Sequence, residues 1–353
     1  MNYKKLVLLS FVSVALFSCE TKETEPAQPY DSGVFVVNEG NFLQNNGSIS
    51  FIQPDSKTAI TDVFQKENSR PLIGIINGYA EVDDKGIILV DNSTDGQDAI
   101  EIVNARTFKS IASIKEVENP RNAIKVAANK AYVVCWDILN PDYTYNPGYI
   151  LVIDLLINKV TKKITLQNGA EGIVVVGNEA FVGNNPYVDK KEISVIDITK
   201  DEVTSKINIK GPASNLVLDA NNKIWCTTGK DFLRINPTTK AVEATISTET
   251  ATEKTPGKLV LNANKTTIYF DYAHWATGGE VYSFNISDAT ISTTTPIIKR
   301  TVTGLGFDPK ANVIYAGISP SYNQAGYAFR YKPTGELIDS VKVELAPSKF
   351  LFK

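Results

Sequence analysis

The chain has one histidine, one methionine and three cysteines among 353 residues, and these scarcities exclude much chemistry. A Ser-His-Asp or Cys-His site would have to use His274. Zinc sites normally draw on several His or Cys ligands. Cys135 and Cys226 fall in strands of non-neighbouring repeats, too far apart for a disulfide, and read as small buried apolar residues. No Gly-rich phosphate loop joins a strand to a helix, and helical periodicity is almost missing. Neither sign of charge dominates, with 36 basic against 39 acidic residues, so nucleic acid is not the expected partner.

What is present begins with a targeting segment. Lys4 and Lys5 precede an uncharged run from Leu6 to Phe17, too short to span a bilayer and suited to a signal peptide over residues 1–18. The run closes as Leu16-Phe17-Ser18-Cys19, which resembles the lipobox of bacterial lipoproteins and implies cleavage before Cys19 and lipidation of its sulfur. Residues 19–32 are polar, acidic and Pro-containing, the composition of a flexible tether. Acidic residues directly after the cysteine look like an export signal to the outer-membrane surface; a periplasm-facing position is the alternative.

From residue 33 to 353 one pattern recurs. A strand opens at Val34, Ile87, Ala131, Ala180, Ile224, Ile268 and Val313, with steps near 45 residues after the first. That period, with four short strands per unit, predicts an all-β, seven-bladed β-propeller of four-stranded antiparallel blades. Strands A to D count outward from the axis. In the fourth unit 172–176 is the near-continuous apolar run of an inner strand, and 192–197 alternates as strand C. The first unit lacks its own strand A, while the chain ends in Ser348-Lys349-Phe350-Leu351-Phe352-Lys353 after Pro347. The C-terminus is therefore expected to supply the inner strand of the first blade and remove an unpaired edge.

The strand C motifs Ile193-Ser194-Val195-Ile196-Asp197 and Ile150-Leu151-Val152-Ile153-Asp154, with Asn119-Pro120 and Gly211-Pro212 opening blades, resemble the YncE-like, YVTN-type propellers over essentially the whole mature chain. Some lipoproteins of that kind, the BtuG type, capture cobalamin and work with a TonB-dependent transporter. The resemblance implies a non-enzymatic outer-membrane lipoprotein that binds a scarce nutrient, with cobalamin ahead of siderophores and glycans, and hands it to such a transporter.

In propellers the B–C and D–A loops gather around one mouth of the central channel. Four B–C loops are read as long, 38–47, 135–148, 184–191 and 271–279. With the seventh repeat they bring candidate ligand-binding residues Asn41, Phe42, Trp136, Tyr143, Tyr145, Asn184, Tyr187, Tyr272, His274, Trp275 and Tyr322 to that mouth. Aromatic rings and amides give large contact area at low entropy cost. Asp91-Asn92-Ser93-Thr94-Asp95-Gly96 has the opening of a calcium loop, but Ile102 stands where Glu belongs, so a polar hairpin loop is expected. Two other classes stay open. A lactonase- or lyase-type enzyme would use Glu39, Glu171, Asn122 and Asn215, whose spacing carries no signature, and an interaction scaffold would use the rim as a protein interface.

Overall fold

A computed structural model describes residues 26–142, 144–248 and 252–353; the signal peptide, Cys19, the tether up to residue 25 and Tyr143 lie outside them. Seven antiparallel sheets follow one another along the chain. The seven B strands are Val34–Asn38, Lys85–Asp91, Lys130–Cys135, Glu179–Asn184, Ile224–Thr228, Thr267–His274 and Val313–Ile318, each containing its expected start. Their side chains are buried almost throughout, because a B strand is covered on both faces by the adjoining blades. The D strands face solvent, as in Glu202–Asn208, where only Ile207 is buried. Seven apolar clusters hold the blades, and those at the blade seams take residues from neighbouring blades, as Phe35 of blade 1 packs with Tyr79 and Ile88 of blade 2.

Closure is as expected. Pro347–Phe352 joins the first sheet inside Val34–Asn38, with Val34 opposite Phe352 and Val36 opposite Phe350. A methyl group at Gly317 of blade 7 would collide with the Pro347 carbonyl, so the seam requires glycine there.

Two local features depart from the simple plan. Blade 6 has three strands, Thr255–Leu261, Thr267–His274 and Gly278–Asn285. Its outer position is taken by a loop in which Ile297 and Ile298 bond only to Val281. Pro296 has no N–H to give a ladder there, and buried Ile291 and Ile298 cover the sheet instead. In blade 1 the outer strand is only Ala59–Ile60, followed by a six-residue helix, Val63–Asn68, that buries Val63 and Phe64. Asp62 caps it by accepting the Gln65 N–H. Cys135 and Cys226 are buried free thiols, and burial raises the pKa of both.

Candidate functional site

The site begins with irregularities in the inner strands. In six of the seven blades the pairing of strand A with strand B slips near the same end, skipping Asn77, Arg121, Glu171-Gly172, Asn215-Leu216, Gly257-Lys258 and Ser348. Blade 7 is regular. A bulge leaves its extra residue out of the ladder and re-aims the side chain. All the skipped residues line one funnel-shaped cavity of about 710 Å³ on the channel axis. The ring of bulges thus turns strand residues that would otherwise pack between blades into the lining of a cavity.

Above the bulges stand the B–C loops. Trp136, Tyr187 and Tyr322 line the funnel. Tyr145 meets Trp136 edge to face with ring centres 5.3 Å apart, and the Tyr145 carbonyl accepts the Asn168 amide at 2.6 Å. Asn41 donates its side-chain amide to the Tyr322 carbonyl at 3.4 Å, joining the loops of blades 1 and 7. Phe42 sits half-exposed in a short 3-10 turn, Phe42–Gln44, outside the cavity lining. Tyr187 is 88% exposed.

Other expected positions differ. Tyr272 is only 2% exposed. It lies within strand B of blade 6, packs edge-on against Tyr282 with ring centres 6.1 Å apart and shares a hydrogen bond with Thr252 at 2.9 Å. The expected 271–279 loop is a tight hairpin, because pairing continues to His274 opposite Gly278. His274 ends the strand, its ring 5.6 Å from that of Trp275. Trp275 at the tip is 93% exposed and does not line the funnel. Asn184 is fully buried and donates to the Asn168 carbonyl at 3.4 Å; it supports the rim from below. The 91–96 segment spends its oxygens locally: Asp91 accepts from Asn77 at 3.0 Å and Asn92 turns back on the Thr94 N–H at 2.9 Å. Among the described residues no group of three His, Cys, Asp or Glu stands close enough to hold a metal ion.

The floor is charged; its carboxylates Glu39 and Glu171 were expected at the channel, whereas its cations Arg121, Lys258 and Lys349 were not. Arg121 stacks under Trp136 with its guanidinium carbon 3.9 Å from the ring centre. It reaches Asp91 at 3.5 Å and Glu171 at 3.7 Å. Burial raises the Asp91 pKa, with Arg121 and Asn77 opposing. Lys349 is accessible from the funnel yet ringed by protein, and among the described residues its ammonium meets only the Arg121 carbonyl, at 3.3 Å. Desolvation lowers the Lys349 pKa, Arg121 and Lys258 add to this, and Glu171 and Glu39 oppose it. Glu39, Glu171, Asn122 and Asn215 all line the funnel. Of eight buried side-chain nitrogen or oxygen atoms without a hydrogen-bond partner among the described residues, five lie at this end: Asn38 Oδ1, Arg121 Nε, Trp136 Nε1, Asn184 Oδ1 and Asn185 Nδ2. Buried polar atoms are normally matched; of these five, Arg121 Nε and Trp136 Nε1 belong to residues that line the funnel, while Asn38, Asn184 and Asn185 lie buried behind it.

Beside the funnel, Asp98 ties two loops by accepting the backbone N–H groups of Asn92 at 2.7 Å and Asn119 at 2.6 Å. Burial, against those two bonds and helped by Asp91 and Glu118, pushes its pKa up to about 7. The folded pKa exceeds the unfolded value near 3.8, so the folded chain holds the extra proton between them. This contribution to stability grows as pH falls from about 7 to about 4 and is lost above. Urea unfolding across that range should show it, on the order of 4 kcal/mol. Asp98→Asn should flatten the dependence, with a lower plateau because Asn sets an NH2 against one donor. An unchanged slope in the variant would assign the titration elsewhere.

Solved structures with this fold are distant. One is a quinonprotein alcohol dehydrogenase-like protein from Bacteroides thetaiotaomicron VPI-5482, 17% identical, TM-score 0.70, with 92% of this chain and 78% of that one covered. A functionally unknown protein from Desulfotomaculum acetoxidans DSM 771 matches at 13% identity and TM-score 0.64, over 91% and 99%. A putative 6-phosphogluconolactonase from Bacteroides fragilis NCTC 9343 matches at 9% identity and TM-score 0.66, over 93% and 100%. At such identities the likeness is one of fold. No curated protein matches the sequence. A family model does match residues 32–352, all of the propeller but Lys353, and the chain belongs to that family, DUF5074, a domain of unknown function.

Proposed function

We propose that this propeller is a non-catalytic binding protein of the outer-membrane surface, anchored through Cys19, that captures a scarce nutrient such as cobalamin over its funnel and passes it to a TonB-dependent transporter. The observation that carries this reading is the junction of two layers at one end of the disc. Trp136, Tyr187 and Tyr322 frame the mouth, and the ring of bulges presents amides and charges below them. A cavity of this size, part aromatic and part polar, suits one end of an amphipathic small molecule. A ligand as wide as a corrinoid would lie across the rim with a polar substituent in the funnel. The lipobox and the acidic tether support the location, and the likeness to YncE-like lipoproteins supports the transporter.

Calorimetry of the purified protein against cobalamin, ferric siderophores and oligosaccharides tests the proposal. Saturable heat with one class, at a Kd of about 1 μM or tighter, is expected; silence with all three would remove it. The placing of Glu39, Glu171, Asn122 and Asn215 in the funnel favours a lactonase-type enzyme as second reading. That reading requires lactone turnover that a chelator abolishes.

A further inference from the structure

The floor of the funnel carries both signs of charge, and neither sign is used up. Arg121 has five N–H donors, yet one reaches Asp91 only at the outer limit of a hydrogen bond, 3.5 Å, and Nε has no partner. Glu171 stands 3.7 Å from Arg121, near enough to attract and too far to bond. Lys349 has a carbonyl contact but, among the described residues, no carboxylate within ion-pair distance. Glu39 lines the same cavity, and its carboxylate touches no side-chain donor among the described residues. Arg121 and Glu171 are partly buried, and partly buried charges left so are costly unless something pairs with them.

A lone anion entering here would gain Arg121 and Lys349 but meet Glu39 and Glu171. A lone cation would gain the carboxylates but meet Arg121, Lys349 and Lys258. A neutral sugar would leave both sets unpaired. We propose that the floor receives a zwitterionic, α-amino-acid-type head group, its carboxylate on Arg121 and Lys349 and its ammonium on Glu171 and Glu39. The spacing of Arg121 from Glu171 matches a ligand whose opposite charges are also adjacent. Trp136, with Tyr145 against its ring, and Tyr187 then flank an apolar body above the head group. The proposal rests on reading the funnel as a ligand-binding site and narrows which ligands it takes to amino-acid-derived ones.

The probe is phenylalanine, titrated calorimetrically into the full protein beside N-acetylphenylalanine, which lacks the ammonium, and phenylalaninamide, which lacks the carboxylate. Phenylalanine should bind, and either blocked form should bind about tenfold or more weakly, the worth of one charge-assisted hydrogen bond. Glu171→Gln should close the gap between phenylalanine and its N-acetyl form. Lys349→Gln should close the gap to the amide, with the melting temperature of both variants retained. Blocked forms that bind as well as phenylalanine, or gaps that persist in both variants, would overturn the zwitterion site. Cobalamin heat without phenylalanine heat would also overturn it while leaving nutrient capture standing; silence with every probe would remove both.

Discussion

Removal of residues 347–353 should abolish the cooperative melt of the protein or lower its Tm by tens of degrees. That segment is the inner strand of blade 1, paired along Val34–Asn38 from Phe352 to Pro347. Phe350 and Phe352 pack on Tyr315 of blade 7, with ring centres at 5.5 and 5.2 Å. The Lys353 N–H bonds to the Gly33 carbonyl at 2.9 Å, and the Lys353 ammonium pairs with Glu81 of blade 2 at 2.5 Å. Three partly buried apolar side chains contribute roughly 3–5 kcal/mol together. Several net hydrogen bonds add about 1 kcal/mol each. The sum approaches the whole stability of a typical domain, about 5–15 kcal/mol. Truncation also leaves a long apolar edge open in blade 1, a template for aggregation. Calorimetric melting of the truncated and intact proteins decides this, and a Tm within about 2 °C of the intact chain would contradict the closure.

Phe35→Ala should be the most damaging single core substitution. The Phe35 ring is fully buried and lies 4.7 Å from Phe51, 5.0 Å from Tyr79, 5.0 Å from Phe108 and 5.8 Å from Tyr30. These rings come from blade 1, blade 2 and the segment entering the propeller, so one side chain joins three pieces of chain. Phe→Ala in a core costs about 3–5 kcal/mol through lost transfer energy and the cavity left. Loss of edge and stacked contacts adds to that, about 0.5–1.5 kcal/mol per pair. The denaturation midpoint should fall with the denaturant slope unchanged. Leu43→Ser, at an exposed loop position, should stay within about 0.5 kcal/mol of the wild type. Equal midpoints for the two variants would show that the cluster is not where the seam is held.

The fold was readable because strand B of every blade is buried on both faces and must be apolar, so its recurrence survives in the sequence as a period. The rim was readable in part, since Trp136, Tyr145 and Tyr187 stand in loops too long to be plain connectors. Tyr272 was misplaced because an aromatic pair of alternate residues, Phe270 and Tyr272, continues the strand toward the tip. Gly278 and Gly279, taken as the end of a loop, are the return strand of a hairpin. The carboxylates Glu39 and Glu171 were placed at the channel from the sequence, but the cations of the floor were hidden for a different reason. Arg121 and Lys258 lie within strand A, and only a slip in pairing turns them to the axis. A bulge is a fact of register between two strands, and the apolar pattern of either alone does not fix it. The Asn-Pro before Arg121 and the Gly before Lys258 are the local signals that could have pointed there.

The account depends on the funnel at the B–C end being where a ligand is held. A second cavity of about 550 Å³ lies at the other end, between blades 1 and 7, lined by Lys310, Tyr315 and Arg330 among others. The most direct measurement is titration of cobalamin and phenylalanine into two variants, Trp136→Ala/Tyr187→Ala at the funnel and Lys310→Ala at the far cavity. Loss of two stacking rings should weaken binding about 100-fold or more in the first, and the second should bind as the wild type does. Undiminished binding by the funnel variant, or loss confined to Lys310→Ala, would contradict the account.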